Sequence, residues 1–344
     1  MRQRSKVFWV LCTASAIVLI AGGLAHLMYP IVLSGALASA QAFFSSRLAA
    51  MTGRTGVMCL LMGAVLGIEM LTVGWRSSSL FRLFFQRSKS AIVDNLYFFY
   101  VLLKVSNFAE IGLTFGLSIL ASRVITYASS YYGWTRIELP SAGAFQLAIG
   151  FGMYWLLYTF FGYWGHRLMH HPLFWHLHRF HHAATELNIV TVFRQHPVEP
   201  VVLGLLGVVS PLIFFNASDD ILFVAFLVGT TVDLLAHSQL PWSYGWLGRW
   251  IVASPRVHQI HHSIDEEHRD LHFSSCPLWD HLFGTWYKGT NAPSGFGIPD
   301  LAYEARPLRQ LVLDTLIFYR DLTRWLVLPI RYLPSFRSDL PSIQ

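Results

Sequence analysis

The chain is poor in charged residues. Asp, Glu, Lys and Arg make up 13% of its 344 residues, about half of the roughly 25% that soluble globular domains carry. Hydrophobic residues reach 54%, and the mean hydropathy is +0.45. This composition argues against an ordinary soluble domain and predicts a chain that is largely surrounded by lipid. The 12 tryptophans agree with this, because Trp favours the headgroup layer of a bilayer.

Cysteine is scarce, and a basic stripe is missing. The three cysteines, Cys12, Cys59 and Cys276, form no CxxC pair, so neither a disulfide framework nor a zinc ribbon is predicted. The net charge is +6 and the isoelectric point is near 9.3. The basic residues lie between apolar runs, so we interpret them as topology signals and contacts with anionic lipid, and we do not predict nucleic acid as a partner.

Long apolar runs predict about four membrane-spanning helices and one short helical hairpin. The predicted spans are Val7–Val32, Gly56–Val73, Leu96–Leu120 and Ala142–Trp164. The arms of the hairpin are Val201–Phe215, which Pro211 would kink, and Ile221–Ala236, with Ser218 or Asp219 as its N-cap. The first run is too long, and too far from the small residues at 38–40, for a cleaved signal peptide.

Basic residues between the spans predict the topology. Lysines and arginines at 2–6 and 76–89 indicate cytoplasmic segments. An even number of crossings then places both termini and every later histidine cluster on the cytoplasmic side. We expect one membrane-embedded, all-α unit: N-terminal spans (1–140), a catalytic region with a cytoplasmic helical cap (141–290) and a C-terminal tail (291–344). In that tail, Leu308–Arg331 is too charged to span and predicts a helix on the membrane surface or on the cap.

Histidine is unevenly distributed. Of 16 histidines, only His26 precedes residue 166, and the other 15 lie between His166 and His281. Three motifs, one HxxxH and two HxxHH, recur at spacings that place side chains on one helix face. Their histidines are His166, His170, His178, His181, His182, His258, His261 and His262. Eight converging imidazoles predict a site for two metal ions.

The type of ligand narrows the choice of metal ion. Imidazole suits Zn, Cu, Fe and Ni, but the HExxH pattern of zinc hydrolases is missing, and a structural zinc site needs four ligands only. Two redox-active ions beside a membrane favour iron and dioxygen chemistry. We expect His171 to point to another side of its helix, and His176 and His281 to be structural or to contact the ligands from behind. For His196, contact with a ligand from behind and no such role have equal weight.

The order of these motifs resembles the fatty acid hydroxylase superfamily, which includes sterol desaturases, methyl sterol oxidases and alkylglycerol monooxygenase. The resemblance covers residues 163–287. Its elements are YWGHR at 163–167, FW through HH at 174–182, TELN at 185–188, RQHPVE at 194–199, HSQ at 237–239, SPR through HH at 254–262 and LWDHLFGT at 278–285.

The resemblance implies a non-haem di-iron site of about nine histidines, with His237 as the ninth ligand. It also implies supporting or additional roles at His196, Glu199, Asp233, Asp270 and His272. Three positions depart from the family pattern: Thr159 stands where an acidic residue is common, His272-Phe273-Ser274 replaces Asn-aromatic-Gly, and Gln239 replaces Asn. His272 would therefore be an extra ligand or would change the surroundings of the ligands.

The resemblance and the membrane setting predict oxygen insertion into a lipid C–H bond, with desaturation of a lipid or sterol as the alternative. Flavin, haem and iron–sulfur motifs are missing, so the electrons are expected from a separate reductase, ferredoxin or cytochrome. Lys104, Asn107 and Glu110 lie within a predicted span and are possible substrate contacts. A non-catalytic membrane metal carrier is the rival class, although a carrier would place ligands near mid-membrane.

Overall fold

Long helices dominate the computed structural model, which describes residues 36–86, 88–102, 125–127, 129–298 and 306–327. The α-helices are α1 (Ala36–Val73), α2 (Ser79–Phe81), α3 (Lys89–Leu102), α4 (Ala144–Met169), α5 (Pro172–His182), α6 (Glu199–Gly204), α7 (Ser210–Phe214), α8 (Asp219–Ala236), α9 (Gly245–Trp250), α10 (Pro255–His261), α11 (Leu278–Leu282) and α12 (Pro307–Val327). Turns of 3-10 helix lie at Trp75–Ser77, Ile189–Phe193 and Glu266–His268, and π-helical turns at Arg82–Gln86 and Leu205–Val209.

Strand structure in these residues is limited to one short pair. Strand β1 (Ile137–Glu138) pairs in parallel with β2 (Phe215–Asn216). Asn216 also donates two side-chain hydrogen bonds to the Glu138 carboxylate, at 2.7 and 2.9 Å. This pair ties the segment before α4 to the turn before α8, so both helices start from the same end of the molecule. The prediction of a mostly helical protein is confirmed.

Two of the described helices are long and apolar enough to cross a membrane. They are Thr55–Val73 within α1, and α4. At 1.5 Å per residue the 26 residues of α4 are about 39 Å long, more than the roughly 30 Å of a hydrocarbon core. These helices correspond to the second and fourth predicted spans. The first predicted span, most of the third, and Lys104, Asn107 and Glu110 lie outside the described residues.

Both arms of the predicted hairpin are helical and pack on α4, but the first arm is not one helix. It runs as α6, a π-helical turn and α7, and the break lies next to Pro211, which lacks the N–H that a continuous helix needs. Its second arm is α8, whose N-cap is Ser218: the hydroxyl accepts from the Ile221 N–H. Asp219 is the first residue inside the helix, where a carboxylate favours the helix dipole.

Packing gathers the ends of four helices. Helix α4 packs on α5 and α8, and α8 packs in turn on α1 and α10. The C-terminal helix α12 packs on α5, where Phe318 joins Met169 and Leu177 in a buried cluster. Asp314 of α12 is fully buried and forms an ion pair with Arg179 of α5. Of the two settings predicted for this segment, the structure shows packing on the helices that carry histidines.

Candidate metal centre

Helices α4 and α5 bring the first two histidine motifs together. His166 lies in the last turn of α4, and His170 is its C-cap. The chain then turns sharply, because the His171 side chain accepts from the Leu173 N–H and Pro172 occupies the first turn of α5, where its missing N–H is harmless. Helix α5 ends on His181 and His182, one turn beyond His178. The rings of His178 and His182 contact those of His166 and His170 at the end of α4, whereas the His181 ring contacts His237.

Helices α8 and α10 supply the other ligands. His237 is the C-cap of α8. Ser254 caps α10 by accepting from the Val257 N–H, and Pro255 follows in its first turn. This short, well-capped helix presents His258 and His261, with His262 as its C-cap. Each of the nine predicted ligands therefore stands at or near a helix terminus.

The nine histidines form two groups, and within each group the nearest ring nitrogens all lie within 4.8 Å of one another. The first group is His166, His170, His178, His182 and His261; the second is His181, His237, His258 and His262. Each group takes residues from α10 and from α5, so neither forms from one local motif. The structure thus divides the predicted ligand set into two sites of five and four imidazoles.

Oxygen acceptors fix the orientation of six of these rings. The Nδ1 atoms of His166, His181, His237 and His261 lie 2.7–3.3 Å from backbone carbonyl oxygens, those of Phe273, Arg194, Asp233 and Leu271 respectively. His178 and His170 point Nδ1 at carboxylate oxygens of Glu199 and Asp270, at 2.8 and 3.1 Å. A carbonyl oxygen only accepts, so Nδ1 must donate, and in a neutral imidazole Nε2 is then unprotonated.

Pairs of these unprotonated nitrogens face each other at short range. In the second group, Nε2 of His181 lies 3.3 Å from Nε2 of His237, and both rings donate Nδ1–H to backbone carbonyls. In the first group, Nε2 of His166 lies 3.1 Å from Nε2 of His178. Two lone pairs at this distance repel each other unless a cation lies between them. Ligands at right angles around one ion, with metal–nitrogen bonds of 2.0–2.1 Å, would be about 3.0 Å apart.

A proton is a poor cation for this position. Burial lowers the pKa of His178 and His181 well below the usual histidine range, and neighbouring histidines lower both further. Burial also lowers the pKa of His237 to about 4. The rings are therefore neutral at physiological pH, as metal ligation requires. The donor set and the geometry fit a metal ion in each group.

Three acidic residues predicted near the ligands have different positions. Glu199 is buried and accepts from His178, and its Oε2 has no hydrogen-bond partner within the part of the chain that the structure describes. Burial raises the pKa of its carboxyl well above the usual value. Asp270 reaches His170 from a turn in which its φ is +57°. Asp233 contacts His237 through its backbone carbonyl and not through its carboxylate. His237 is the C-cap of α8, and its ring folds back on the residue four positions earlier.

Other histidines lie apart from both groups. His196 accepts from the Val198 N–H, and its Nε2 lies 2.8 Å from the Thr315 hydroxyl. His272 packs edge-on against Trp286 and belongs to neither group. His176 lies 3.7 Å from Asp321, and His281 stacks on Trp250. Thr159, at the position of the departure noted above, accepts a hydrogen bond from the Trp279 indole N–H at 3.0 Å.

Some supporting residues were missed by the sequence reasoning. Arg194 is fully buried, and its guanidinium donates to the Phe180 carbonyl at 3.0 Å and pairs with Asp94 at 3.3 Å. These contacts hold Arg194 in place, and its own backbone carbonyl accepts from His181. Asp280 accepts from the Phe273 N–H at 2.8 Å, and so positions the carbonyl that receives His166. Asp280 is the single acidic residue of the LWDHLFGT element, and this was the available sequence signal for a residue that supports the ligands.

Comparison with known proteins places this region in a family. Residues 151–285 match the fatty acid hydroxylase family profile. They belong to the fatty acid hydroxylase superfamily. The resemblance inferred from the histidine motifs is thereby confirmed. No solved structure gives a significant match to the chain.

Several curated proteins are similar over this region. Fatty acid hydroxylase domain-containing protein 2 of Homo sapiens is 31% identical over 167 residues, 46% of this chain and 44% of its own length. C-4 methylsterol oxidase of Schizosaccharomyces pombe is 29% identical (39% and 47%), and a very-long-chain aldehyde decarbonylase of Oryza sativa is 28% identical (47% and 61%). The chain spans about half the length of the curated relatives it matches.

Proposed function

We propose that this chain is a membrane-bound, non-haem di-iron oxygenase that inserts oxygen from O2 into a C–H bond of a lipid. The observation that carries the proposal is the facing pair of unprotonated nitrogens in each histidine group. It calls for a cation in each group, and hence for two ions rather than one. Two iron ions in this ligand set would supply the redox chemistry that activates dioxygen.

The protein's own part in this chemistry is to hold neutral imidazoles in fixed orientations. Backbone carbonyls and the carboxylates of Glu199 and Asp270 hold the Nδ1 protons, so every ring they contact presents Nε2 to its group. The buried setting limits the access of water and of competing reactions. Phe273, whose ring packs 4.9 Å from that of His170, forms part of the apolar surroundings of the first group.

Lipid is the proposed substrate class. Three observations support it: the low charge of the chain, the two apolar helices long enough to span a membrane, and relatives named for methylsterols, fatty acids and very-long-chain aldehydes. We further propose that a separate reductase, ferredoxin or cytochrome supplies the electrons. Desaturation on the same site is the second candidate reaction, since hydrogen removal from a C–H bond begins both outcomes.

A non-catalytic metal carrier is less well supported. A carrier moves its ion along a path, and its ligands are expected near the middle of the membrane. Here the ligands gather where four helices end, and six of the rings are fixed by acceptors from α6, from α8 and from the segments around residues 194 and 270–273. Such fixed orientation suits a resident ion.

Two measurements test the proposal. Metal analysis of the purified full chain, expressed with sufficient iron, is expected to give two ions per chain, mainly iron; one zinc and no iron in an active preparation would contradict it. Lipid extracts of cells with and without the chain, grown under ¹⁸O2, are expected to differ in a product that carries the label. An unlabelled product two hydrogens lighter would instead assign desaturation, and no oxygen-dependent difference would favour the carrier.

A further inference from the structure

A basic cleft lies beside the metal centre and belongs to neither histidine group. It has a volume of about 510 Å³, and Val257 and Ile260 of α10 form part of its wall. Its charged and titratable lining residues are Arg249, Arg256, Lys288, His272 and His281. Among the described residues, none of those that line the cleft is an aspartate or a glutamate. The cleft therefore presents three permanent positive charges with no lining carboxylate to neutralise them.

An aromatic stack forms another wall of the basic cleft. The His281 ring lies between Trp250 and Trp286, with centroid distances of 4.0 and 4.5 Å, and its Nε2 lies 3.0 Å from the Arg249 carbonyl. Burial lowers the pKa of His281, and the nearby charges of Arg249 and Lys288 lower it further. Both cations thus act on the same part of the cleft. Rigid stacking holds this wall in place without a ligand.

His272 adds a buried donor that has no acceptor. The backbone N–H of Tyr287 donates to Nε2 of His272 at 3.4 Å. Nε2 is therefore the acceptor nitrogen, and Nδ1 must carry the proton of the neutral ring. This Nδ1 is buried and has no hydrogen-bond partner among the described residues, while His272 lines the cleft and is only 3% exposed. An unpaired buried N–H is unfavourable, so this group is suited to an oxygen acceptor that the described residues do not supply.

Two exposed apolar residues that follow lining residues in the chain, Leu282 after His281 and Trp246 after Gly245, are called here the apolar rim of the cleft. The rim lies beside the end of a candidate span. Helix α11 packs along the last turns of α4: the Trp279 ring lies 5.1 Å from Phe160, and Phe283 lies 5.0 Å from Trp164. Leu282 on α11, next to His281, is 63% exposed, and Trp246 on α9 is 66% exposed. Exposed Trp and Leu beside the end of a spanning helix are typical of residues at the level of the lipid headgroups.

From this combination we propose that the basic cleft binds the phosphodiester headgroup of an anionic phospholipid. The arginines and Lys288 supply the positive charge, and the His272 N–H supplies a directed donor to a phosphate oxygen. The apolar rim, with Leu282 and Trp246, is where the glycerol and the first methylene groups would leave the cleft toward the bilayer. A free phosphate ion shares the headgroup chemistry but would leave this rim without a role. The inference does not depend on the metal or on the oxygenase reaction.

Lipid binding by the detergent-purified full chain tests the proposal. Native mass spectrometry would compare phosphatidylglycerol with phosphatidylcholine of the same acyl chains, for the wild type and for an Arg256→Gln, Lys288→Gln double variant. Both side chains are exposed, so the fold should survive, which an unchanged melting temperature in detergent would verify. At the strength usual for basic residues near an anionic lipid surface, the double variant should bind phosphatidylglycerol about 30-fold more weakly. Phosphatidylcholine binding should hardly change.

A matched control and two contrary outcomes complete the test. Arg269→Gln removes one exposed charge that lies outside the cleft lining, and it should leave the lipid preference intact. Equal binding of phosphatidylglycerol by wild type and double variant would overturn the proposal. Displacement of phosphatidylglycerol by an equal concentration of inorganic phosphate would also overturn it, because the cleft would then be a site for the soluble ion.

Discussion

At the residue scale, the function of a ligating histidine depends on the oxygen that holds its other nitrogen. His237 illustrates this, because it stands outside the three motifs and receives its orientation from the Asp233 carbonyl at 2.8 Å. We predict that His237→Ala weakens metal binding in the second group, because three imidazoles remain where four converge, so that the variant retains fewer than two ions per chain after dialysis against a chelator. Elemental analysis of the purified variant measures this. His171→Asn, which keeps an N-cap side chain, is the control and should retain both ions.

Glu199 provides a second test at this scale. The carboxylate accepts from His178 at 2.8 Å, and supporting partners of this kind are typically worth 10–100-fold in metal affinity. We predict that Glu199→Ala weakens metal binding in the first group by about that factor, while Glu199→Gln, which can still accept from Nδ1, weakens it less. Competition with a chelator would show the order. Equal affinities for Ala, Gln and wild type would contradict this role of the carboxylate.

Sequence reasoning identified the nine histidines and gave Glu199 and Asp270 as possible supporting residues, but it did not identify the backbone carbonyls that orient four of the rings. Their spacing within α5 and α10 is a local property, so it can be read directly from HxxHH. The carbonyls of Phe273, Leu271 and Arg194 are invisible to such reading, because every residue has a carbonyl and only tertiary packing selects one. The division into two groups could not be predicted from the sequence either. His181 and His182 are neighbours in the chain but belong to different groups, and this depends on how α5 packs near α8 and α10.

At the element scale, α12 holds α5 in place through one buried ion pair. Asp314 is fully buried, and its partner Arg179 lies on the helix that carries three ligands. We predict that Asp314→Ala destabilises the protein by about 3–5 kcal/mol, since it leaves a partly buried arginine without its carboxylate. Thermal unfolding in detergent measures the change. Glu266→Ala, which removes an exposed pair with Arg269 away from α5 and α12, should leave the melting temperature nearly unchanged.

Helix limits show what the hydropathy pattern can and cannot predict. The fourth apolar run was expected to end at Trp164, whereas α4 continues to Met169, because the polar residues of the histidine motif stay helical once they pack on α5. Hydropathy reflects the free energy of transferring a residue from water to lipid, so it does not show whether a helix continues into a polar site. In the first hairpin arm the reverse holds: the run is apolar throughout, yet the backbone breaks beside Pro211.

At the scale of the whole molecule, the metal-free protein should be sensitive to acid. Burial lowers the pKa of His237 to about 4 and that of His196 to about 4, so the folded state binds fewer protons than the unfolded state, in which histidine titrates near 6.5. Folding stability is therefore complete above pH 6.5 and declines as the pH falls toward 4, by about 1.4 kcal/mol per pH unit for each such group. Melting temperatures of chelator-treated protein at pH 8 and pH 5.5 measure the decline, and equal values would contradict it.

Membrane topology is the last prediction at this scale. The basic segments at 2–6 and 76–89 predict cytoplasmic positions on both sides of the first two spans, since Lys and Arg in short loops are retained on that face. Helix α4 carries His166 and His170 at its C-terminal end, so the direction in which α4 crosses decides which side holds the metal centre. We predict that this end is cytoplasmic, together with both termini.

A fluorescent protein fused after Gln344 should fluoresce inside the cell, and alkaline phosphatase at the same position should be inactive. Fusions before Ala144, at the other end of α4, should give the opposite pair of results. Phosphatase activity after Gln344 would reverse the orientation and place the electron donor on the outer side.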